Sequence, residues 1–246
     1  MRKVFLADAH LKKPEDFNYR TLLQFLTGLK GNTDTLYILG DLFEFWLGHD
    51  KFPFPHYRPV LEKLEELHRS GVAIVYFEGN HDFHMGPFFE KTIHAEVYRG
   101  PEVLFLDGKK VYFCHGDQVI NADYGYNLYR FLTHNRLLKL LFPLVPSRLP
   151  SYIAERLGRH SKGNHSRRER KWNYETIINN FAVTKFKSGC DVVIVGHFHT
   201  PFLKVTGGEN QEKSLLSLGD WVQQFSYGEW VGGKLYLRTF TPPDPV

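Results

Sequence analysis

Five times along the chain an apolar run of strand length stops at a short cluster of Asp, Asn, His and Gly. The clusters are Asp8-Ala9-His10, Gly40-Asp41, Gly79-Asn80-His81-Asp82, His115-Gly116-Asp117 and Gly196-His197-Phe198-His199. Feeding them are Val4 to Ala7, Leu36 to Leu39, Val72 to Phe77, Val111 to Cys114 and Asp191 to Val195. Between the first three runs the apolar spacing turns helical. Glu15 to Leu29 places Phe17, Leu22, Leu23, Phe25, Leu26 and Leu29 on one side and stops at Gly31-Asn32, and Arg58 to Arg69 stops at Gly71. Strand, helix, strand alternation predicts a sheet buried between helices. In open α/β sheets the carboxyl ends of the strands are where sites form. Asp8, Asp41, Asn80, His115, His197 and His199 are therefore expected to converge, although they come from opposite ends of the chain.

Carboxylate, carboxamide and imidazole groups at one edge supply the mixed oxygen and nitrogen ligands that two divalent metals in a hydrolytic site require. That donor set favours manganese, iron or zinc over a pure magnesium site. The glycines in the clusters let the backbone turn sharply beside the ligands. A Ser-His-Asp pattern and a GxxxxGK[ST] loop are both absent from the chain, so nothing points to a protein nucleophile or a phosphate-cradling loop. Any one cluster alone is as well explained by a turn, a cap or a core histidine; the ordered set, each member at a strand end, is what carries the reading.

Past the third cluster the pattern becomes hairpin-like, with Val103 to Leu106 and Val111 to Cys114 joined through Asp107-Gly108. Ser214 to Leu218 and Lys234 to Phe240 also read as strands, and Pro242 to Val246 as a loose tail. From Asp123 to Lys187 the strand rhythm stops, and helices separated by Pro143, Pro146, Pro150 and Gly158 are expected. The predicted organisation is a core of 1–122 and 188–246 with a helical insertion, or cap, at 123–187.

The net charge of +4 is unevenly placed. From Arg130 to Lys171 there are eleven Lys or Arg against two acids, Glu155 and Glu169, while the rest of the chain carries 20 against 25. In the same segment Phe131, Leu132, Leu137, Leu138, Leu140, Leu141 and Phe142 are interleaved with Arg130, Arg136 and Lys139. An apolar face flanked by cations suits an anionic membrane surface, and a helical pair packed on its own core is the alternative. Basic residues crowded with Leu and Phe offer no exposed stacking platforms, so no nucleic-acid partner is expected. No run approaches the roughly 20 apolar residues of a spanning helix. The N-terminus lacks a secretory pattern, and a cytoplasmic chain is expected. Cys114 and Cys190 each adjoin an apolar run and are expected as core thiols.

The ordered motifs DxH, GD, GNHD, HGD and GHxH resemble those of the calcineurin-like metallophosphoesterases. The resemblance implies an α/β fold, a four-layer sandwich of two mixed β-sheets flanked by helices. It also implies that Asp8, His10, Asp41 and His199 hold one metal and Asp41, Asn80, His115 and His197 the other. Asp41 would then bridge the metals, a shared hydroxide would be the nucleophile, and Asn80 and His81 would join Asp41 as catalytic residues.

Within that superfamily Leu39-Gly40-Asp41-Leu42-Phe43-Glu44-Phe45-Trp46 is similar to the LGDLFExW segment of the UDP-2,3-diacylglucosamine hydrolases. So are Asp123 with Gly125-Tyr126, and Ser161-Lys162 with Asn164. What this resemblance implies is manganese-dependent cleavage, in lipid A synthesis, of the pyrophosphate of a lipid-linked nucleotide sugar at the cytoplasmic face of the inner membrane. The implied products are UMP and the acylated sugar 1-phosphate. Asn80, His81, Asp123, Ser161, Asn164, Arg167, Arg168 and His197 are the expected substrate contacts. Ser161 and Asn164 could equally cap a helix, and a solvated helix face accounts for Arg167 and Arg168 as well. One position departs from that family's pattern, which has Arg where this chain has His81. Histidine there is usual in the wider superfamily and can protonate an alkoxide leaving group. A sugar phosphate leaves as a stable anion and needs that acid less, so His81 keeps other phosphodiesters open as substrates, with a nuclease or a metal-free scaffold of the same fold as further rivals.

Overall fold

The computed structural model of the chain describes residues 1–47, 54–120, 172–208 and 212–242. Its elements in order are β1 (Arg2–Leu6), α1 (Phe17–Leu29), β2 (Thr35–Leu39), β3 (Trp46–Leu47), α2 (Arg58–Arg69), β4 (Ala73–Phe77), β5 (Asp82–Phe83), α3 (Gly86–Lys91) and β6 (Glu96–Tyr98). There follow β7 (Glu102–Leu106), β8 (Lys109–Cys114), α4 (Tyr174–Lys187), β9 (Val192–Val195), β10 (Phe202–Thr206), β11 (Lys213–Ser217), β12 (Ser226–Val231) and β13 (Lys234–Thr239). One sheet runs β13-β12-β1-β2-β4-β6, parallel from β1 to β6 and antiparallel at the β12 and β13 end. The other runs β10-β11-β9-β8-β7, parallel in the middle and antiparallel at both edges. Both sheets are mixed, as the resemblance implies.

Side-chain alternation along each strand explains why the sheets stack. In β1, Val4 and Leu6 share a core with Leu22 and Leu26 of α1 and Leu64 of α2. Phe5 and Ala7 fall on the opposite face, in a layer with Tyr37, Phe77, Phe113, Ile194 and Leu216. Within that layer the Tyr37 and Phe113 rings stack at 5.1–5.9 Å from Phe5 and 5.2 Å from one another. Each fully buried side chain of this size contributes about 1.5–3 kcal/mol, so the inter-sheet layer holds the two sheets face to face. The outer face of the second sheet, with Val193, Val195 and Leu215, is covered by Tyr174, Ile178 and Ala182 of α4. The layers are helix, sheet, sheet, helix.

Residues 121–171 lie outside the described part, and with them Asp123, Ser161, Asn164, Arg167 and Arg168. Of the expected insertion, residues 172–187 fall in the described part. Asn173 caps α4, its side-chain oxygen accepting from Thr176 N at 3.0 Å, and Tyr174, Ile178 and Ala182 recur every fourth residue on the sheet-facing side. The last part of the expected insertion, α4, thus packs on the outer face of the second sheet. Strand β12 is one the apolar pattern does not announce, because Gly228 and Glu229 interrupt it. Gly228 is required by closeness: a Cβ there would come 2.6 Å from Leu216 Cδ2 of the second sheet. Cys114 and Cys190 are both buried, and no disulfide joins them. Among the described residues no helix is long and apolar enough to cross a membrane.

Candidate metal centre

Loops following β1, β2, β4, β8 and β9 meet at one edge of the stacked sheets and bring Asp8, His10, Asp41, Asn80, His81, His115, His197 and His199 together. Among the described residues two groups of ligand-type atoms gather the expected ligands, and a third, His10 with Glu44 and His81, adjoins them. In the first, Asp8 Oδ1 lies 3.9 Å from His10 Nε2 and 3.5 Å from His199 Nε2. In the second, His115 Nε2 lies 3.4 Å from Asp41 Oδ2, 3.0 Å from Asn80 Oδ1 and 3.2 Å from His197 Nδ1. Asp41 Oδ2 is also 3.8 Å from His10 Nε2, so a single carboxylate oxygen faces both groups. His81 sits beside them, its ring edge-on to His10 with centroids 4.8 Å apart.

The local backbone is built to aim these side chains. Asp8 N, His10 N and Leu11 N bond in turn to the carbonyls of Gly40, Asp41 and Leu42, extending the pairing of β1 with β2 beyond the strands. Asp8, His10, Asp41, His197 and His199 have φ of +57°, +44°, +54°, +70° and +51°. Such left-handed conformations are uncommon for residues with a Cβ and cost of order 1–3 kcal/mol where strained. Gly79 must be glycine for the loops to touch, since a Cβ would lie 2.2 Å from Asp41 Oδ1.

Burial disfavours the charged form of His115, but the Asp41 carboxylate beside it more than offsets this and holds the imidazole well above its ordinary value. Asp41 shows the reciprocal effect: burial opposes ionisation, yet His115 and His81 hold its carboxyl well below the usual range. Burial likewise works against charge on His199, and Asp8 pulls it up. For His10 burial dominates, reinforced by His81, and its pKa falls well below the ordinary value. The edge thus competes for positive charge that protons supply only in part.

A cation fits that demand. Asp8 is fully buried and its Oδ1 has no hydrogen-bond partner, a costly arrangement for a carboxylate unless a cation completes it. Metal bonds of about 2.1 Å set neighbouring ligand atoms roughly 3–4 Å apart, and the distances in both groups fall in that range. Of the residues singled out from sequence, the seven ligand candidates and His81 are brought together; the five other substrate contacts are not described. Three carboxylates at the site were not singled out. Asp82 accepts the backbone N–H groups of Asp41, Leu42, Phe43 and Gly79. Glu44 and Asp220 face the outer nitrogens of His10 and His199. A signal for Asp220 exists, because Gly219-Asp220 follows an apolar run as Gly40-Asp41 does.

Residues 1–201 match the calcineurin-like phosphoesterase family, and the chain belongs to that family of hydrolases, whose fold implies divalent metals at this edge. More particularly, it is similar to the UDP-2,3-diacylglucosamine hydrolase of Aeromonas salmonicida, at 31% identity over 99% of this chain and 95% of that one. To the enzyme of the same name from Shigella dysenteriae it is 33% identical over 90% of this chain and 91% of that one. A solved archaeal phosphodiesterase shares the fold, with a TM-score of 0.50 at 14% identity, covering 98% of this chain and 100% of that one.

Divalent cations should stabilise the folded chain, because the unfolded chain has no such cluster. At a concentration of 100 times the dissociation constant the gain is about 2.7 kcal/mol, or a melting point raised by roughly 5–11 °C for a domain of this size. Differential scanning calorimetry with and without a chelator checks this; superimposable scans would remove the cation from the site.

Proposed function

We propose that the chain hydrolyses the pyrophosphate bond of UDP-2,3-diacylglucosamine, giving UMP and 2,3-diacylglucosamine 1-phosphate. The observation that carries the reading is similarity along nearly the whole length of relatives bearing that name, combined with two ligand groups sharing Asp41. Asp8, His10, Asp41 and His199 would hold one cation and Asp41, Asn80, His115 and His197 the other, manganese being our choice among the metals this donor set accepts. When bound, the cations neutralise phosphoryl oxygens and activate water. The chain's own groups orient the substrate. His81 Nδ1 lies 2.8 Å from the Glu44 carbonyl, which can only accept, so Nδ1 is the donor to it; a phosphoryl oxygen also only accepts, so Nε2 would bond one only from the doubly protonated ring. His81 N bonds Asp41 Oδ1 at 2.9 Å, tying the position of that ring to the shared carboxylate.

The insertion at 123–187 is the part of the chain we assign to the acyl chains, as a basic, apolar cap against the cytoplasmic face of the inner membrane, with Asp123, Ser161, Asn164, Arg167 and Arg168 contacting the head of the substrate. His81 supports a second reading, a phosphodiester whose leaving group needs a proton. Manganese-dependent turnover of UDP-2,3-diacylglucosamine beside bis(p-nitrophenyl) phosphate separates the two, with UMP and inorganic phosphate both measured. UMP without inorganic phosphate is expected. Turnover of the aryl diester with no UMP would overturn the lipid assignment in favour of the second reading.

A further inference from the structure

The imidazoles of the two ligand groups are backed by different chemistry. His115 turns Nδ1 to the Leu39 carbonyl at 2.7 Å. In the Asp8 group both rings turn Nδ1 to a carboxylate: His10 to Glu44 Oε2 at 3.8 Å, and His199 to Asp220 Oδ2 at 3.6 Å. At these separations the contacts are electrostatic rather than hydrogen bonds. They are nonetheless close enough, in a buried setting, for the charge to orient the ring.

Both carboxylates are held in place by other partners. Asp220 is 5% exposed, and its Oδ1 accepts the N–H groups of Val222, Gln223 and Gln224 at 2.8, 2.7 and 3.2 Å, which leaves Oδ2 as the oxygen facing His199. Gln224 closes the loop, its Nε2 donating to the His199 carbonyl at 2.9 Å and its Oε1 accepting from Asp220 N at 3.3 Å. From the same loop Trp221 N donates to the Asp8 carbonyl at 3.0 Å. One loop after β11 therefore grips the backbones of Asp8 and His199 and presents a carboxylate to the ring of the latter. Glu44 is fixed through Oε1, which pairs with Lys12 Nζ at 2.9 Å, and through its N–H to the Leu11 carbonyl at 3.0 Å.

We propose that Glu44 and Asp220 are positioning residues that set the Nδ1–H tautomer of His10 and His199, and that they make the Asp8 group the tighter of two unequal cation subsites. A carboxylate only accepts, so the nitrogen facing it carries the proton and the Nε2 lone pair is left pointing at Asp8 Oδ1 and whatever cation sits there. A partner of this kind behind a ligating imidazole is typically worth about 10–100-fold in metal affinity, and the full charge of a carboxylate raises the basicity of the opposite ring nitrogen more than the neutral carbonyl behind His115 does. The inference rests on the two-cation reading of the site.

Manganese titration of the full chain by isothermal calorimetry tests it. The wild type should bind two ions, one at least about 10-fold more tightly than the other. Glu44→Gln and Asp220→Asn should each weaken the tighter site by about 10–100-fold and leave the weaker within about twofold. In Asp220→Asn the amide oxygen can keep the three backbone bonds while an NH2 group replaces the acceptor facing His199, so the tautomer preference is lost without the loop. With zinc as a diamagnetic probe, long-range 1H–15N spectra of the wild type should show a proton on Nδ1 of His10 and His199. Isotherms unchanged in both variants, equal weakening of both subsites, or an unprotonated Nδ1 on either ring would overturn the proposal. A wild type that binds no ion would instead overturn the two-cation reading. Should Asp220→Asn fail to fold by thermal scan, Glu44→Gln and the wild-type spectra still decide.

Discussion

Asp41→Asn is expected to lower turnover of UDP-2,3-diacylglucosamine by more than about 10³-fold while the chain stays folded. Asp41 Oδ2 is the oxygen that faces both ligand groups, 3.8 Å from His10 Nε2 and 3.4 Å from His115 Nε2. Its charge also underlies the high pKa of His115. Losing His10 or His115 would take one ligand from one group; losing the Asp41 charge weakens both at once. Asparagine is the informative replacement because it keeps the volume of the side chain. Asp41 Oδ1 lies so near the Gly79 backbone that the two loops leave no room for a larger group, and it also accepts from His81 N at 2.9 Å. Steady-state kinetics at saturating manganese, beside circular dichroism, measure the effect. Turnover within about tenfold of wild type would remove Asp41 from the shared position.

The greatest loss of stability is expected at Asp82, a residue without exposed surface. Its carboxylate accepts from Asp41 N at 2.9 Å, Leu42 N at 2.6 Å, Phe43 N at 3.3 Å, Gly79 N at 3.0 Å and Tyr76 Oη at 2.5 Å. Burial and the nearby Asp41 charge push its carboxyl up to about 7. Asp82→Ala would leave the N–H groups of Asp41, Leu42 and Phe43 buried without the carboxylate they bond, at about 1–3 kcal/mol for each one that water does not reach, while Gly79 N keeps the carbonyl of residue 82. A net loss of about 3–5 kcal/mol follows for a buried hydrogen-bond network of this kind. Urea unfolding at unchanged slope would read it as a lower midpoint. The same variant should bind cations more weakly, because the loops it unties carry Asp41 and Asn80. A loss below about 1 kcal/mol would show that the two loops hold each other without it.

What could be read from the sequence, and what could not, divides along physical lines. Helix α2 has the same ends in the sequence pattern and in the structure, because its apolar face, Pro59 at its start and Gly71 beyond its end all speak locally. The ligand candidates were legible because each sits at the end of an apolar run, and the topology of a mixed sheet collects such ends at one edge. Asp82 was visible as a letter of the GNHD motif, but its partners are backbone groups some 40 residues earlier, and backbone partners leave no mark in a sequence. Asp220 carries the same signal as Asp41, a Gly-Asp pair after an apolar run, but its pairing with His199 depends on a loop folding back over β11, which that signal does not encode. Helix α4 reads from the sequence as the end of the insertion, and that it covers the second sheet is not legible there, because helical patterning alone does not tell which sheet a helix covers. Strand β12 was hidden by Gly228, whose small size serves contact between the sheets rather than the strand's own propensity.

Five residues that aim at the cation site keep left-handed backbones, Asp8, His10, Asp41, His197 and His199. Glycine at any of them would relieve the backbone, and losing Asp8 would also remove a buried carboxylate oxygen that has no hydrogen-bond partner. A library of this chain selected for heat tolerance alone, in the absence of metal, would therefore discard these side chains early, whereas selection in the presence of metal would retain them. The cation in that sense maintains the sequence as well as the chemistry, and a lineage deprived of it would drift toward a sturdier, inert fold.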